Sequence, residues 1–480
     1  MSASPRSSLL AIGRMTTDGQ RANGRSRRRG FFVGAVILVV IAVLAILVFT
    51  WWLPTYRMDS ARASWQPPPQ ALLTESMREQ PVPGWRVGLS ELGLPAPDGQ
   101  FAVTNGERRL RPFVGNVGPN AYFVARSGAP DNSQWWLTGV DTRDGRSLFA
   151  AVPLGVSRSQ PDCLLNGPDE VLCVSRFSPS VSAWVVDTRS GALKYSGPAD
   201  LGEFQVDQVG MYAVARKQNE GVYGIGSRAE TTWFVPGAGS VRKVNSSRPA
   251  ASTQTLTGQL EANPRTYVFT VFSVADGAVI EPEIADGYTL GKPVFYTGGF
   301  VAEVNDPDGR HVEIAFFDES GKHLGEYDGR GSAGDSPVDL PVIGPTSDNR
   351  NTVFTTQGQP LIEVPGGTLY LVGTTLMVDA GNSLAFPELH LYDMRDGTAI
   401  GSVCDYLMHN YIGTDGSTLV FEVHNPGAEV LVTASDMRSC ERLWTLPKRV
   451  DSLDRVWNID GTLVQLTNEG TELISLVASA

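Results

Sequence analysis

The chain has 480 residues, of which 42% are hydrophobic and 19% charged, and it contains 51 glycines and 31 prolines. Low charge with many turn-forming residues is typical of an all-β body and argues against a helical bundle. The net charge is −12, and residues 1–30 hold seven arginines against one acid, Asp18, so the remainder is more acidic still. Such a body excludes non-specific binding to nucleic acid or to an anionic lipid surface.

The first predicted element is a transmembrane helix at residues 31–52. Residues 31–50 read FFVGAVILVVIAVLAILVFT, without a charge, which is long enough for a helix to cross a hydrocarbon core of about 30 Å. Trp51 and Trp52 follow as interfacial aromatic residues, and arginines precede the span. The positive-inside rule therefore predicts a single-pass protein of the cell membrane, with a disordered basic cytoplasmic tail at residues 1–30 and an extracytoplasmic body.

Two other interpretations of this region stay open. A cleaved signal peptide has a shorter apolar stretch with a small-residue cleavage site close behind it, whereas here Ala61-Arg62-Ala63 lies well beyond the span. The sequence RRRGFF at residues 27–32 is similar to a twin-arginine export signal. A basic flank of a membrane span is the simpler interpretation of both features.

A Pro-rich stalk is predicted at residues 53–84, because Pro67, Pro68, Pro69 and the sequence QPVPG at residues 80–84 favour an extended chain. A β-rich ectodomain is predicted at residues 85–478. There, short apolar or alternating segments are broken every ~8–12 residues by turn-forming residues, which is typical of strands joined by tight hairpins.

One hairpin, WVVDTRSGALKY at residues 184–195, recurs along the chain. Its aspartate can accept hydrogen bonds from backbone N–H groups in the turn, and its glycine supplies a positive φ. The copies recur at intervals of roughly 40–48 residues, about the size of a four-stranded propeller blade. The predicted turn residues are Asp141, Gly145, Asp187, Gly191, Asp393, Gly397 and Asp436, with weaker copies at Val235/Gly239, Ser273/Gly277 and Asp318/Gly321.

The number of copies predicts a β-propeller of seven or eight blades, with eight favoured, behind the one N-terminal transmembrane helix. The interval from Asp318 to Asp393 is much longer than the others, and it holds either a degenerate blade or a long insertion at residues 329–351. The strands at residues 84–115 and at residues 455–477 each make only part of a blade. We therefore expect the two ends of the chain to pair and close the ring.

The turns resemble the repeat of the PQQ-like, or quinoprotein-type, β-propellers, A-x-D-x-x-T-G-x-x-x-W. The resemblance implies that the aromatic residue four positions after the glycine docks one blade on the next. These blade-docking aromatic residues are Phe149, Tyr195 and Trp444. The pattern departs at Lys243, Glu281, Gly325 and Gly401, which are not aromatic. WD40-like propellers stay an alternative, although no repeat ends in Trp-Asp. The whole chain is similar to membrane-anchored, PQQ-like propeller proteins of bacterial envelopes.

Four cysteines, an even number, agree with an exported body that contains disulfides. Of the three connectivities that four cysteines allow, proximity in the sequence favours one pair around residues 163–173 and one around residues 404–440. The predicted structural disulfides therefore join Cys163 to Cys173 and Cys404 to Cys440. The spacing does not match a zinc site or a C-x-x-C redox motif.

The sequence predicts no catalytic, cofactor-binding or metal-binding residues. Enzymatic quinoproteins hold PQQ with Ca²⁺ and a pair of adjacent cysteines, and no two cysteines here are adjacent. The string GIGSRA at residues 224–229 fits a dinucleotide-binding fingerprint but leads into a predicted strand, so we interpret it as a turn. The string NDPDGR at residues 305–310 is likewise interpreted as a turn rather than a Ca²⁺ loop. The five histidines form no paired metal motif.

These observations favour a non-enzymatic binding or scaffold module of the bacterial cell envelope. The predicted partners are the membrane, through residues 31–52, and an envelope protein or glycan, with no nucleic acid. The alternative is an envelope enzyme, either a PQQ-dependent dehydrogenase-like protein or a hydrolase that uses carboxylates in the central channel. Only this alternative needs a cofactor, PQQ with Ca²⁺.

Overall fold

The computed structural model describes most of the chain beyond residue 52. The described ranges are 53–70, 72–94, 98–101, 111–129, 132–177, 180–244, 253–262, 267–327, 329, 331–335, 338–344, 349–380, 388–404, 411–423, 429–448 and 454–479. The predicted cytoplasmic tail, residues 1–30, and the predicted span, residues 31–52, lie outside them. Among the described residues, no helix is long and apolar enough to cross a membrane. The chain divides into two units, residues 1–57 and residues 58–480, and the second contains all the strands.

Helix α1 (Leu53–Ser64) begins in the first unit, and nine antiparallel sheets follow in the second. We call the sheets blades 1 to 9. Strand β1 (Val82–Gly88) comes before blade 1, which contains β2 (Gln100–Phe101), β3 (Phe113–Val117), β4 (Asn120–Ser127), β5 (Ser133–Asp141) and β6 (Ser147–Ser157). Blade 2 contains β7 (Asp162–Leu165), β8 (Glu170–Phe177), β9 (Ser180–Asp187) and β10 (Leu193–Pro198). Blade 3 contains β11 (Gln205–Val209), β12 (Tyr212–Lys217), β13 (Gly221–Ile225) and β14 (Thr231–Pro236).

Blades 4 to 6 occupy the middle of the chain. Blade 4 contains β15 (Leu256–Leu260), β16 (Phe269–Ser273) and β17 (Val279–Ile280). Blade 5 contains β18 (Thr289–Tyr296), β19 (Gly299–Asn305), β20 (His311–Asp318) and β21 (His323–Tyr327). Blade 6 contains β22 (Ser332–Ala333), β23 (Val342–Gly344), β24 (Arg350–Phe354) and β25 (Pro360–Pro365).

Blades 7 to 9 complete the set. Blade 7 contains β26 (Thr368–Val372), β27 (Thr375–Asp379), β28 (Leu389–Asp393) and β29 (Ala399–Cys404). Blade 8 contains β30 (Tyr411–Thr414), β31 (Thr418–Glu422), β32 (Val430–Asp436) and β33 (Arg442–Pro447). Blade 9 contains β34 (Arg455–Ile459), β35 (Thr462–Thr467) and β36 (Glu472–Val477), together with β1 from the start of the chain.

Hydrophobic clusters join each blade to the next. Central strands are buried on both faces, as in β4, where residues 121–125 are fully buried, because a blade lies on either side. Outer strands are more exposed, as β10 shows. Nine clusters occupy the nine boundaries, and the cluster between blades 9 and 1 includes Leu473 and Phe123. Residues 82–477 therefore form a closed nine-bladed propeller, and burial of these apolar faces is its main stabilising term.

The ends of the chain meet in blade 9, as the sequence predicts. Strand β1 pairs with β36 in an antiparallel register that runs from Val82 opposite Val477 to Gly88 opposite Glu472. A propeller blade cannot bury both faces unless the ring is closed, and pairing of the two ends closes it without leaving a free edge at this point.

The prediction of seven or eight blades is wrong, because blade 6 lacks the Asp–Gly signal. The long interval between Asp318 and Asp393 holds this blade rather than an insertion. Its turn has Thr355 in place of the aspartate, and the Thr355 hydroxyl accepts hydrogen bonds from the N–H groups of Gln357 and Gln359. Gly358 keeps the positive φ, 77°. A threonine therefore organises the same turn, and the sequence pattern overlooks it.

The turns between the first and second strands and between the third and fourth strands lie at one end of the propeller, which we call the turn face. In blades 1, 2, 7 and 8, a backbone N–H of the turn between the third and fourth strands donates to a carbonyl of the turn between the first and second. Thr142 N–H donates to the Pro119 carbonyl (2.9 Å), and Met437 N–H donates to the Ser417 carbonyl (2.9 Å). In these blades, backbone hydrogen bonds hold the two turns together.

Residues 58–70 and 72–81, most of the predicted stalk, lie against the turn face, and we call them the wrapping segment. Ala61 is buried in the cluster between blades 6 and 7. Gln70 accepts a hydrogen bond from Gly373 N–H in blade 7 (2.7 Å). Leu73 N–H donates to Thr414 of blade 8 (2.7 Å), and Thr74 N–H donates to Gly461 of blade 9 (2.9 Å). The segment is thus part of the folded body and not a free stalk.

Candidate functional site

The turns between the third and fourth strands hold their carboxylates in internal hydrogen bonds. In blade 2, Gly191 N–H donates to the Asp187 carbonyl (3.0 Å), and the Asp187 carboxylate accepts from Ser190 N–H (2.9 Å). The Ser190 N–H is the largest of the causes that lower the pKa of Asp187 to about 2. Gly191 has a φ of 68°, which a residue with a side chain adopts only at a cost.

The other predicted turns have the same construction with different donors. The Arg143 guanidinium holds the pKa of Asp141 below its usual range, and Arg395 does the same for Asp393. In blade 8, the Ser439 N–H lowers the pKa of Asp436. The glycine positions are Gly145 (φ 76°), Gly397 (φ 77°) and, in blade 8, Cys440 (φ 61°). These carboxylates stabilise turns, so they are poor candidates for acid–base catalysis.

Aromatic side chains lie over the turn of the following blade. A Cβ on Gly191 would lie 2.5 Å from the Phe149 ring, so only glycine allows this approach. Tyr195 packs against the cluster that contains Ala229 of blade 3. The Trp444 indole N–H donates to the Met77 carbonyl of the wrapping segment (2.7 Å). Phe149 and Tyr195 therefore lie between blades, and Trp444 lies between blades 8 and 9 and also contacts the segment that was predicted to be a stalk.

Two further docking residues escaped the sequence analysis. Trp85 of β1 packs on Gly145 and donates its indole N–H to the Thr142 carbonyl (2.8 Å). Trp233 of β14 packs on Gly277 of blade 4. Both residues stand one blade before the turn that they cover, which is the relation that Phe149 has to Gly191.

The predicted hairpin of blade 3 was in the wrong place. Val235 lies in the fourth strand, β14, and not at the end of the third. The turn between β13 and β14 is closed by the hydrogen bond from Gly226 N–H to Glu230 (2.8 Å), and Ala229 takes the positive φ, 57°. The string GIGSRA thus lies at this β-turn. Trp233, four residues after Ala229, was the available signal, but the repeat has alanine where glycine is expected.

One of the two predicted disulfides is confirmed. Cys163 and Cys173 form a disulfide across β7 and β8. Cys440 is disulfide-bonded. The side chain of Cys404, its predicted partner, lies outside the described residues. The string NDPDGR forms the turn between β19 and β20, in which the Asp306 carboxylate accepts from the N–H groups of Asp308 (2.9 Å) and Arg310 (2.8 Å).

Two acidic residues near the inner strands, Asp207 and Asp335, form ion pairs with basic residues. Asp207 of β11 pairs with Arg216 and with Lys243 (2.6 Å). Burial raises the pKa of Asp207, but these two cations outweigh it, and the pKa lies below its usual range. Asp335 of blade 6 accepts from Arg242 (2.6 Å) and Lys292 (3.2 Å). Each acid is neutralised by two bases, an arrangement that differs from the paired carboxylates of a glycoside hydrolase.

A pocket opens where blades 4, 5 and 6 meet on the turn face. Thr255 lies just before β15, Thr297 lies in the turn after β18, Glu319 lies in the turn after β20, and Asp339 lies between β22 and β23. Buried Tyr296 forms part of the wall. Three blades therefore contribute to one small, acidic pocket, and no single repeat unit contains it.

Asp339 is the distinctive group of this pocket. It is 9% exposed, and its Oδ1 accepts from Thr297 N–H (2.8 Å). Its Oδ2 is buried and has no hydrogen-bond partner among the residues that the structure describes. Glu319 is exposed beside the pocket, and its Oε1 accepts from the Thr255 hydroxyl (3.4 Å). A buried carboxylate oxygen without a partner costs free energy, so the pocket suits a ligand with a positively charged donor.

The fold defines the class of the protein, a nine-bladed β-propeller. The family described as "Conjugation-associated 9-bladed beta-propeller domain" matches residues 57–479, and the chain belongs to this family. It is also similar to "Uncharacterized protein D806_5234" of Mycolicibacterium smegmatis (strain MKD8), with 37% identity over 487 residues, covering 96% of this chain and 99% of that protein.

Two solved structures that are similar to the chain share little sequence identity with it. BamB from Moraxella catarrhalis is 10% identical, with a TM-score of 0.29, over 83% of this chain and 98% of that one. A eukaryotic initiation factor is 10% identical, with a TM-score of 0.43, over 73% of this chain and 96% of that one. These values are too low to carry an argument about function.

Proposed function

We propose that this protein is a scaffold module that binds a basic protein partner of a conjugation apparatus in the bacterial cell envelope. The family description supplies the process. The uncharged segment at residues 31–50 and the arginines before it support a single-pass anchor with the propeller outside the cytoplasm. The repeat supports kinship with PQQ-like propellers in architecture, without PQQ or any other cofactor.

The observation that carries the proposal is the buried Asp339 Oδ2 in the pocket of blades 4, 5 and 6. Asp141, Asp187, Asp393 and Asp436 are held by their own turns, and Asp207 and Asp335 each pair with two bases. The Asp339 Oδ2, by contrast, accepts no hydrogen bond from the described residues. A lysine or arginine side chain of a partner would satisfy it through a charge-assisted hydrogen bond. The acidic body adds long-range attraction for a basic surface. A neutral glycan is the other partner that the sequence suggests, and it would not benefit from this charge.

Carbodiimide crosslinking in native membranes tests the proposal, because it joins a carboxylate directly to a lysine amine. The tagged full-length protein should yield a near-stoichiometric protein partner, with a crosslinked peptide that contains Asp339 or Glu319. Asp339→Asn should lower the yield about tenfold, in line with loss of one charge-assisted hydrogen bond. Asp200→Asn, at an exposed acid, is the matched control and should leave the yield unchanged.

Two results of this crosslinking experiment would overturn the proposal. One is a set of partners that is the same for Asp339→Asn and the wild type. The other is the absence of any reproducible protein partner, which would favour a glycan or small-molecule ligand. Turnover of a substrate by the purified full-length chain at ordinary enzymatic rates would also replace the scaffold by an enzyme.

The location is tested separately. An epitope tag after Ala480 should be accessible to antibody on intact spheroplasts, and a tag before Met1 should become accessible only after the membrane is permeabilised. The reverse pattern would contradict the extracytoplasmic location without bearing on the pocket.

A further inference from the structure

Three metal-ligating side chains meet on the outer strands of blade 5. Glu313 lies in β20, and His323 and Glu326 lie in β21. One ligand atom of each residue lies within 4.8 Å of the others. Glu313 and His323 are half-buried, and Glu326 is exposed. The cluster is therefore reachable from solvent but partly enclosed by the blade.

A β-bulge brings these residues to one face of the sheet. Residues 323 and 326 of a regular strand would point to opposite faces, because side chains alternate with a period of two. Here Glu326 is opposite Ala315, and His323 is opposite Phe317, with a register shift between them. Ala315 and Phe317 share a face with Glu313. The extra residue in β21 thus re-aims His323 onto the face of both carboxylates, a common role of bulges at functional sites.

The local packing restricts the imidazole. The Phe317 and His323 rings meet edge to face with centroids 5.8 Å apart. The His323 N–H of the backbone donates to the Glu283 carboxylate (3.1 Å), which ties the start of β21 to the end of blade 4. A ligand held in this way loses little conformational freedom when it binds an ion.

The two carboxylates have no basic partner among the described residues. In the part of the chain that the structure describes, neither Glu313 nor Glu326 pairs with lysine or arginine. Two acids so close together repel each other unless a positive charge lies between them. This cluster thus differs from Asp207 and Asp335, each of which pairs with two basic groups.

We propose that Glu313, His323 and Glu326 form a binding site for a divalent transition-metal ion of the Zn²⁺ class. One imidazole nitrogen and two carboxylate oxygens are ligands that Zn²⁺ accepts, and three protein ligands leave a fourth position for water. Mg²⁺ and Ca²⁺ prefer sites built from oxygen alone. The site links the two outermost strands of blade 5, so a bound ion stabilises the edge of that blade.

Calorimetric titration of the full-length protein with Zn²⁺, after dialysis against chelator, tests the site. We expect one ion per chain, and a melting temperature that rises with Zn²⁺ but not with equal Mg²⁺ or Ca²⁺. His323→Ala and Glu326→Gln should each weaken binding at least tenfold. His390→Ala is the matched control, since His390 lies beside a single acid, Glu388 (3.2 Å), and should leave the affinity unchanged.

Co²⁺ supplies a readout that does not depend on stability. The wild-type chain should show the visible absorption of Co²⁺ coordinated by protein, and His323→Ala should not. The site is refuted if the wild type fails to bind Zn²⁺ saturably, or if His323→Ala binds it as well as the wild type while folded. Neither result depends on the partner or on the Asp339 pocket.

Discussion

Two groups of blades fill the boundaries between neighbouring blades in different ways. From blade 9 through blade 4, an aromatic residue of one blade covers the turn of the next, as Trp85, Phe149 and Trp233 do. From blade 5 onward the corresponding positions include Gly325 and Gly401. There the backbone of the next blade comes so close that a Cβ would lie 2.6 Å and 2.7 Å from a carbonyl oxygen.

The wrapping segment adds side chains to the boundaries on this side of the ring. Arg62 lies over Gly397, the turn glycine of blade 7, at 2.6 Å from a Cβ built there. Met77 is buried between blades 8 and 9. The boundary therefore requires a filled volume and not a particular residue, and a distant part of the chain can fill it. Truncation of side chains in each region shows whether the docking aromatic residues and the wrapping segment contribute equally to the free energy of unfolding.

The largest loss of stability is expected from Phe149→Ala, which removes a docking aromatic residue between blades 1 and 2. Phe149 is 9% exposed and packs on Gly191, so its removal leaves a cavity that the rigid turn cannot fill. The free energy of unfolding should fall by about 3–5 kcal/mol, measured by urea denaturation. Phe234→Ala is the control, because Phe234 is 46% exposed, and should cost about 1 kcal/mol. Equal losses would show that Phe149 does not seal the boundary.

Met77→Ala makes the equivalent change in the wrapping segment. Met77 is 1% exposed and joins the cluster of blades 8 and 9, so truncation should cost about 2–5 kcal/mol. Leu72→Ala, at a 38% exposed position of the same segment, should cost much less. If both variants unfold at the wild-type urea concentration, the segment is not part of the cooperative fold.

Arg62→Ala removes a polar contact from the same segment. The Arg62 guanidinium donates to the Leu361 carbonyl of blade 6 (2.8 Å), and a charged hydrogen bond of this kind is worth about 1.5–3 kcal/mol. Arg78→Ala breaks an exposed ion pair with Asp436 and should cost at most about 1 kcal/mol. Thermal unfolding of both variants separates them, and a larger loss for Arg78→Ala would contradict this assignment.

The smallest effect is a pH dependence in the turn of blade 2. The pKa of Asp187 is about 2 in the fold and about 3.9 when unfolded. Its stabilisation is therefore complete above pH ~4 and is lost as the pH falls through about 2. Asp187→Asn should flatten the stability profile between these values by about 1 kcal/mol, because the side chain is partly exposed. The control is Asp200→Asn, whose profile should match that of the wild type.

The hairpins and the ring closure could be predicted from the sequence, because each depends on residues close together or on the two ends of the chain. The residue types and the spacing of Asp187 and Gly191 predict the hairpin turn between them. Blade 6 could not be counted in this way, because Thr355 replaces the aspartate. The position of the hairpin turn of blade 3 was predicted wrongly because Ala229, and not a glycine, takes the positive φ there.

Neither candidate site could be predicted. The Asp339 pocket depends on three blades meeting, and nothing in the spacing of Thr255, Glu319 and Asp339 indicates that they do. The cluster around His323 depends on the bulge in β21, which reverses the faces that simple alternation gives to residues 323 and 326. The prolines of the predicted stalk favour an extended chain, and an extended chain can lie along a surface, as the wrapping segment does.

The wrapping segment also determines how the protein responds to mechanical load. A pull on the chain before residue 58 reaches the propeller through contacts arranged in series, from Arg62 to Gln70 to Leu73 and Thr74. Such contacts rupture one after another, and each releases chain length and dissipates work. Met77, whose carbonyl accepts a hydrogen bond from the Trp444 indole, follows in the same series, so tension reaches β1 and its pairing with β36 only after this contact is released as well. The contacts of the wrapping segment therefore protect β1, the strand that closes the ring, from tension applied before residue 58.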